Sequence, residues 1–155
     1  MPDGSPQTGA CYCGGVKFRA SGPIRFTKLC HCKPCSRARG VSPVHILAVG
    51  AEGFAVTEGE ELVKVMPSPY GSMQHAFCSG CGSAIWQSPA PEKFRALFPA
   101  SFTLEEDSTK SGMLPAKYAP NTHTNYENRT YDWSDALPKH LGFPESLCEN
   151  DGTPK

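Results

Sequence analysis

Leu29-Cys30-His31-Cys32-Lys33-Pro34-Cys35-Ser36-Arg37 places three thiols within six residues. Two pairs flank it, Cys11-Tyr12-Cys13-Gly14-Gly15 upstream and Phe77-Cys78-Ser79-Gly80-Cys81-Gly82 downstream, so seven of the eight cysteines fall in three tight clusters. Cys-x-Cys in an extended segment turns both sulfurs to one face, and Cys-x-x-Cys in a tight turn brings both to one side. Both arrangements suit tetrahedral zinc, whose sulfur ligands lie at about 2.3 Å. Seven ligands divide as four plus three: four thiolates close a structural site, whereas three leave the open position of a catalytic ion. The economical partition gives Cys11, Cys13, Cys78 and Cys81 to a structural zinc and Cys30, Cys32 and Cys35 to a catalytic one, two zinc ions per chain. Gly14 and Gly82 each follow the second cysteine of a knuckle, where they would let backbone N–H groups approach the thiolates.

Other uses of clustered cysteine fit less well. A directly bridged Cys-x-Cys is strained, and a chain of 155 residues can bury enough surface to need no disulfide staples. A thioredoxin-like use of Cys78 and Cys81 would want a βαβ context, which the neighbouring sequence lacks. Two closed structural zincs, with His31 completing the second, is the serious rival. Alternation along a strand turns His31 away from Cys30 and Cys32, which counts against it.

Lys plus Arg and Asp plus Glu are equal at 15 each, so no global field recruits nucleic acid or an anionic membrane. No window approaches the ~20 apolar residues of a membrane span, and the polar first ten residues lack the apolar run of a signal peptide. The expectation is a single-domain, cytoplasmic protein in a reducing compartment where clustered thiols stay available to metal. Three stretches make up the chain: a flexible lead over 1–7, a zinc domain over 8–143 and a C-terminal tail over 144–155.

Along the chain, short alternating or apolar runs bounded by Gly and Pro predict strands at 16–20, 24–29, 44–49, 54–57, 62–65, 74–77, 84–87 and 94–98. Gly59-Glu60 predicts a hairpin between the fourth and fifth of these. Residues before Ala10 read as a flexible lead-in, Glu105-Glu106-Asp107 as a solvated acidic stretch and 110–118 as irregular. A short helix or turn at 131–137 would dock Trp133 and Leu137, and the tail beyond Pro144 reads as frayed, with Cys148 a free thiol. All of the predicted strand-bearing region is β.

Gly9-Ala10-Cys11-Tyr12-Cys13-Gly14-Gly15-Val16-Lys17-Phe18, the Cys30-His31-Cys32-x-x-Cys35 cluster and Phe77-Cys78-x-x-Cys81-Gly82 together resemble the glutathione-dependent formaldehyde-activating enzyme family, which includes centromere protein V. Gly112-x-Leu114 and the spaced Pro120, His123, Arg129 and Trp133 extend the resemblance over most of 8–143. It implies a mainly β, zinc-bearing antiparallel fold of the β-tent type, and the same partition of cysteines between a structural and a catalytic zinc. The activity it implies is joining of glutathione to formaldehyde, formally a carbon-sulfur lyase reaction in reverse. The sequence departs from the family where an Arg or Gln often follows the third central cysteine: here Ser36 stands there and Arg37 comes next.

The reaction these residues suggest joins a small-molecule thiol to an electrophile. An open zinc position lowers the pKa of a bound thiol from about 8.5, so that a thiolate exists at neutral pH. His31, His45, His75 and Arg129 are candidates to polarise the electrophile's oxygen. Lys33, Arg37 and Arg39, with Lys28, crowd the central cluster and could meet the carboxylates of glutathione. A non-catalytic, zinc-stabilised protein-binding module is the alternative, while balanced charge and the lack of aromatics in a basic stripe argue against nucleic acid. Oligomeric state has no signature in the sequence.

Overall fold

The structure, a computed structural model, describes residues 5–104 and 114–155. Its elements in chain order are β1 (Gln7–Ala10), β2 (Lys17–Ala20), β3 (Ile24–Cys30), helix α1 (Lys33–Arg39), β4 (Val44–Gly50), β5 (Phe54–Glu58), β6 (Val63–Pro67), β7 (Met73–Cys78), β8 (Ala84–Pro89), β9 (Phe94–Leu97), β10 (His123–Thr124), β11 (Lys139–His140) and β12 (Leu147–Cys148). The mainly β expectation holds. No helix among the described residues is long and apolar enough to cross a membrane.

Two compact units divide the chain, Met1–Phe26 with Leu47–Tyr118, and Thr27–Ile46 with Ala119–Lys155. Neither is a continuous stretch. β3 and β4 each begin in one unit and end in the other, so no single cut in the sequence separates them and the single-domain expectation stands.

In the first unit β1-β2-β5 form an antiparallel three-stranded sheet, and the order β4-β9-β8-β7-β6 forms a second antiparallel set. Alternation in β2, with Phe18 and Ala20 buried and Lys17 and Arg19 exposed, puts Phe18 in a core with Phe54, Trp86, Phe102, Leu47, Val49, Ile85 and Leu97. The Phe18 and Phe54 rings stack at 5.4 Å. Cys11 and Cys78 belong to this same core, so one thiol of each knuckle is anchored by apolar packing.

Three expectations are corrected here. Residues before Ala10 are not all lead-in, because Gln7–Ala10 pairs with Lys17–Ala20 in register Gly9↔Phe18. Gly9 is what lets the strand close on its partner: a Cβ there would collide with the Phe18 ring and the Ser101 carbonyl. The predicted hairpin at Gly59-Glu60 does not form either. β5 pairs with β2 and β6 with β7, and Gly59, at φ 74°, turns the chain into a 3-10 turn over Glu60–Leu62 that sends the two strands into different sheets. Finally, α1 breaks the all-β pattern. Its signals were present: Pro34 in the first turn, Arg37 and Arg39 in the last, and Gly40 as left-handed cap. Seven residues are too few for an apolar period to stand out.

The second unit carries the order β12-β11-β10-β3. β10 pairs in parallel with both β3 and β11, an exception to the antiparallel expectation, and β11 with β12 is antiparallel. The tail that read as frayed is therefore tied down. Cys148 pairs with Lys139, forms an isolated bridge with Pro154 and is 2% exposed, its thiol against the Lys139 carbonyl at 3.5 Å. It is a free cysteine, as expected, but a buried one. The stretch 131–137 is irregular and not helical: Asp135 accepts the Leu137 N–H at 3.1 Å, the side-chain turn that Asp favours. Glu105-Glu106-Asp107, Gly112 and part of the irregular stretch 110–118 lie outside the described residues.

Replacing Gly9 by Ala should destabilise the first unit by about 1–3 kcal/mol through overpacking against Phe18. The expected outcome is a lower urea midpoint with an unchanged slope; an unchanged midpoint would mean that β1 is not held on β2.

Candidate functional site

The first unit gathers Cys11, Cys13, Cys78 and Cys81, and the second gathers Cys30, Cys32 and Cys35, with the sulfurs of each group within 4.8 Å of one another. Each group could hold a metal ion. The Cys11-Tyr12-Cys13 segment lies in a turn after β1, not in a strand, with Tyr12 92% exposed between two convergent sulfurs. Gly14 and Gly82 take left-handed φ of 74° and 77°, as the knuckle turns require, but their N–H groups bond the carbonyls of Cys11 and Cys78, not sulfur. The donor to Cys11 Sγ is instead the N–H of Val16, at 3.2 Å.

Zinc–sulfur bonds of about 2.3 Å put the sulfurs of a regular tetrahedron ~3.8 Å apart. Cys11 and Cys13 at 3.5 Å, and Cys13 and Cys78 at 4.0 Å, straddle that edge, so these two contacts already have the spacing zinc would require. In the three-thiol group Cys32 and Cys35 approach to 2.7 Å, and this pair would open by about 1 Å to take an ion. Cys30 ends β3, Cys32 caps α1 by accepting the Cys35 N–H at 3.3 Å, and Cys35 is in the helix, so three different backbone settings aim at one point.

Crowded sulfurs cannot all ionise. Hydrogen bonds from the Cys32 and Cys35 thiols hold Cys30 far below an ordinary thiol, at about 2, and those donated bonds push Cys32 and Cys35 up. In the other group the Ser83 hydroxyl and N–H bring Cys81 down to about 6. Cys13 gains a backbone bond from Gly15, which favours its thiolate, yet its bonds to Cys11 and Cys81 prevail and push it up to about 11. Each group thus carries fewer negative charges than sulfurs until a cation joins it. Uptake of an ion must therefore release protons.

His31 is not among the clustered ligands. Its ring is fully buried, and its Nε2 lies 2.8 Å from His123 Nδ1. Burial and the neighbouring His123 hold it neutral, at about 4. His123 Nε2 in turn lies 2.9 Å from Asp135, whose other oxygen accepts from the buried Lys139 ammonium at 2.6 Å. A carboxylate can only accept, so in the neutral pair His123 donates through Nε2 and accepts through Nδ1, and His31 donates through Nε2. Trp133 and Tyr126 close over the two rings, with Trp133 centred 6.3 Å from His31 and 5.7 Å from His123. The pair is thus a hydrogen-bonded core element beneath the cysteine loop.

The other expected residues scatter. Lys33 and Arg37 are exposed and four apart, on one face of α1, whereas Arg39 is half-buried. His45 Nε2 lies 3.2 Å from Thr27 Oγ1 on β3, and His75 is buried on β7 in the first unit. Arg129 bonds Asp132 at 2.6 Å and the Asp151 carbonyl at 2.5 Å and lies over the Tyr126 ring, so it fastens the C-terminal segment. Ser36 Oγ, at the position that departs from the family, is buried without a hydrogen-bond partner. Sequence reading missed the partnership of His123, Asp135 and Lys139 and the contact of Asn125 with Cys30 at 3.5 Å. Asp135 and Lys139 are four apart and could have been paired from their spacing, whereas Cys30 and Asn125 are 95 residues apart and could not.

A mainly β chain with four convergent thiols in one unit and three in the other belongs to a class of protein built around thiol groups that could hold metal. The chain belongs to the glutathione-dependent formaldehyde-activating enzyme family, whose model matches residues 6–126. It is 29% identical over 152 residues, 91% of each chain, to a Halomonas elongata protein provisionally assigned as a glutathione-dependent formaldehyde-activating enzyme. The solved structure of a Rhodobacter sphaeroides protein, a structural-genomics target, matches with a TM-score of 0.56 at 21% identity, covering 76% of this chain and 99% of its own, and shares the fold.

Cys81→Ser should yield insoluble or unfolded protein, because a closed thiolate site contributes folding free energy outright. Cys32→Ser should stay folded and bind one metal ion fewer than the wild type. Metal analysis and circular dichroism read both; equal instability of the two variants would make both groups structural.

Proposed function

We propose that the protein is a zinc-dependent enzyme of the carbon-sulfur lyase type that joins a thiol, glutathione or a close relative, to a small electrophile such as formaldehyde. The observation that carries this reading is the unequal division of sulfur: among the described residues the group Cys30, Cys32 and Cys35 gathers no fourth protein ligand, while Cys11, Cys13, Cys78 and Cys81 make a complete set. Three ligands with a vacant position are the pattern of catalytic zinc, and four that of structural zinc. Family membership supports the choice of substrates.

Cys30, Cys32 and Cys35 would hold the catalytic ion. Zinc bound there supplies the Lewis acidity that keeps a substrate thiol ionised near neutral pH. In the reaction a sulfur–carbon bond forms, the C=O π bond opens onto oxygen, and the proton lost by the thiol is matched by one gained at that oxygen. Lys33 and Arg37 offer two exposed cations at the cysteine loop for the carboxylates of the thiol, with Lys33 in the first turn of α1 and Arg37 one turn on. Arg39, half-buried, is the weaker anchor. His31 Nε2 and both ring nitrogens of His123 are engaged, with each other and with Asp135, so the pair positions the loop, while His31 Nδ1 is buried without a partner.

Two-dimensional exchange NMR on glutathione and formaldehyde tests the chemistry. The protein should speed exchange between free formaldehyde and the hemithioacetal beyond the spontaneous rate, and Cys32→Ser at equal concentration should not. Equal rates for the two would remove glutathione and formaldehyde as substrates. The double variant Lys33→Ala/Arg37→Ala should raise KM for glutathione several-fold with little change in kcat, the mark of lost uniform binding.

A further inference from the structure

Two non-glycine residues among those described take positive φ, Asn125 and Glu145. Asn125 stands at φ 53°, ψ 38°, directly after β10, and its backbone is fixed on both sides: its N–H donates to the Gly142 carbonyl at 2.7 Å and its own carbonyl accepts from Asn128 at 3.0 Å. The left-handed region costs most residues about 1 kcal/mol or more, and Asn tolerates it best after Gly. Backbone geometry alone would therefore be served at least as well by glycine. What glycine cannot supply is the side-chain amide, and here Nδ2 donates to Cys30 Sγ at 3.5 Å.

We propose that Asn125 is a positioning residue of the metal site, a donor that fixes and partly neutralises the Cys30 sulfur from outside the ligand set. The inference rests on the reading of Cys30, Cys32 and Cys35 as the open zinc site. Its placement is built into the fold. β10 runs parallel to β3 with Thr124 opposite Cys30, so the next residue emerges beside that sulfur. His123, one step earlier on β10, is locked from below by His31 on one side and by Asp135 with Lys139 on the other. Three hydrogen-bonded residues thereby hold a two-residue strand at the height at which Asn125 meets Cys30. Cys30 receives a side-chain amide, whereas Cys32 accepts from the Cys35 backbone. The three ligands are thus unequal, and the difference lies in a residue far away in sequence.

Donors outside the ligand set are typically worth about tenfold to a hundredfold in metal affinity. Three variants of the full chain separate this role from a conformational one. Asn125→Gly keeps the left-handed backbone and removes the amide; Asn125→Asp keeps size and conformation and replaces the donor with a carboxylate; Asn125→Ala removes the amide and strains the backbone. Zinc is titrated against a chromophoric chelator, which resolves the labile ion from the retained one, and thermal melting is followed in parallel. In Asn125→Gly the labile ion should bind about tenfold or more weakly while the melting temperature holds or rises, and Asn125→Asp should weaken it at least as much. In the cobalt-loaded protein the sulfur-to-metal charge-transfer absorption should shift in both. The retained ion should be unaffected throughout. If Asn125→Gly and Asn125→Asp bind the labile ion as the wild type does, the proposal is overturned and Asn125 serves the turn alone. If the wild type itself has no labile second ion, it is the open-site reading that fails instead.

Discussion

Sulfurs brought within bonding distance of a common centre repel one another once ionised, and that constraint governs both candidate sites. The protein meets it with neighbours chosen sulfur by sulfur: a backbone N–H for Cys11, the Ser83 hydroxyl and N–H for Cys81, an amide for Cys30, a first-turn helix N–H for Cys32. None of these donors is strong enough to let a whole group ionise unaided, since Cys13 and Cys35 remain pushed up. A divalent cation would complete what the donors begin. Much of the surrounding architecture can be understood as holding donors at the right sulfur, which is why knuckles, cap and strand end look so different and still converge.

The two groups differ in what lies behind them. Cys11 and Cys78 sit in the main apolar core with Phe18, Val16 and Ile85, so the four-thiol group and that core stand or fall together. The three-thiol group is backed by a polar assembly, His31, His123, Asp135 and Lys139, roofed by Trp133 and Tyr126. Polar chains of this kind favour one arrangement of rings and loops because breaking a link leaves a further donor or acceptor unmet, beyond His31 Nδ1 and Trp133 Nε1, which lack partners as they stand. That suits a site where ligand geometry matters more than stability.

How much of this was legible in the sequence follows from range. The cysteine partition and eight of the strands are written in spacings of a few residues, and Gly14 and Gly82 announce their turns in the same way. What escaped depends on distant partners. β1 is a strand because Gly9 can approach Phe18, and β10 to β12 are two-residue strands too short to show a period. Cys148 looked stranded in a tail because its partner Lys139 is itself unremarkable until β11 pairs with β12. The histidine pair links residues 92 apart through a parallel contact that no window on the sequence can see. The hairpin at Gly59 failed for the opposite reason: a good local turn signal was overruled by separate sheets competing for its two arms.

The interleaving of the two units also sets an order of assembly during synthesis. Every residue of the first unit has been made once Tyr118 is in place, so the four thiols and their core can be complete while the ribosome is still at work. The cysteine loop of the second unit is by then already present, carried between β3 and β4, but the strand that borders it and the amide that reaches Cys30 come only with residues 123–125, and their anchors later still. A nascent chain therefore exposes three reactive thiols for the interval between those events. The two sulfur groups thus reach their complete surroundings at different points of synthesis.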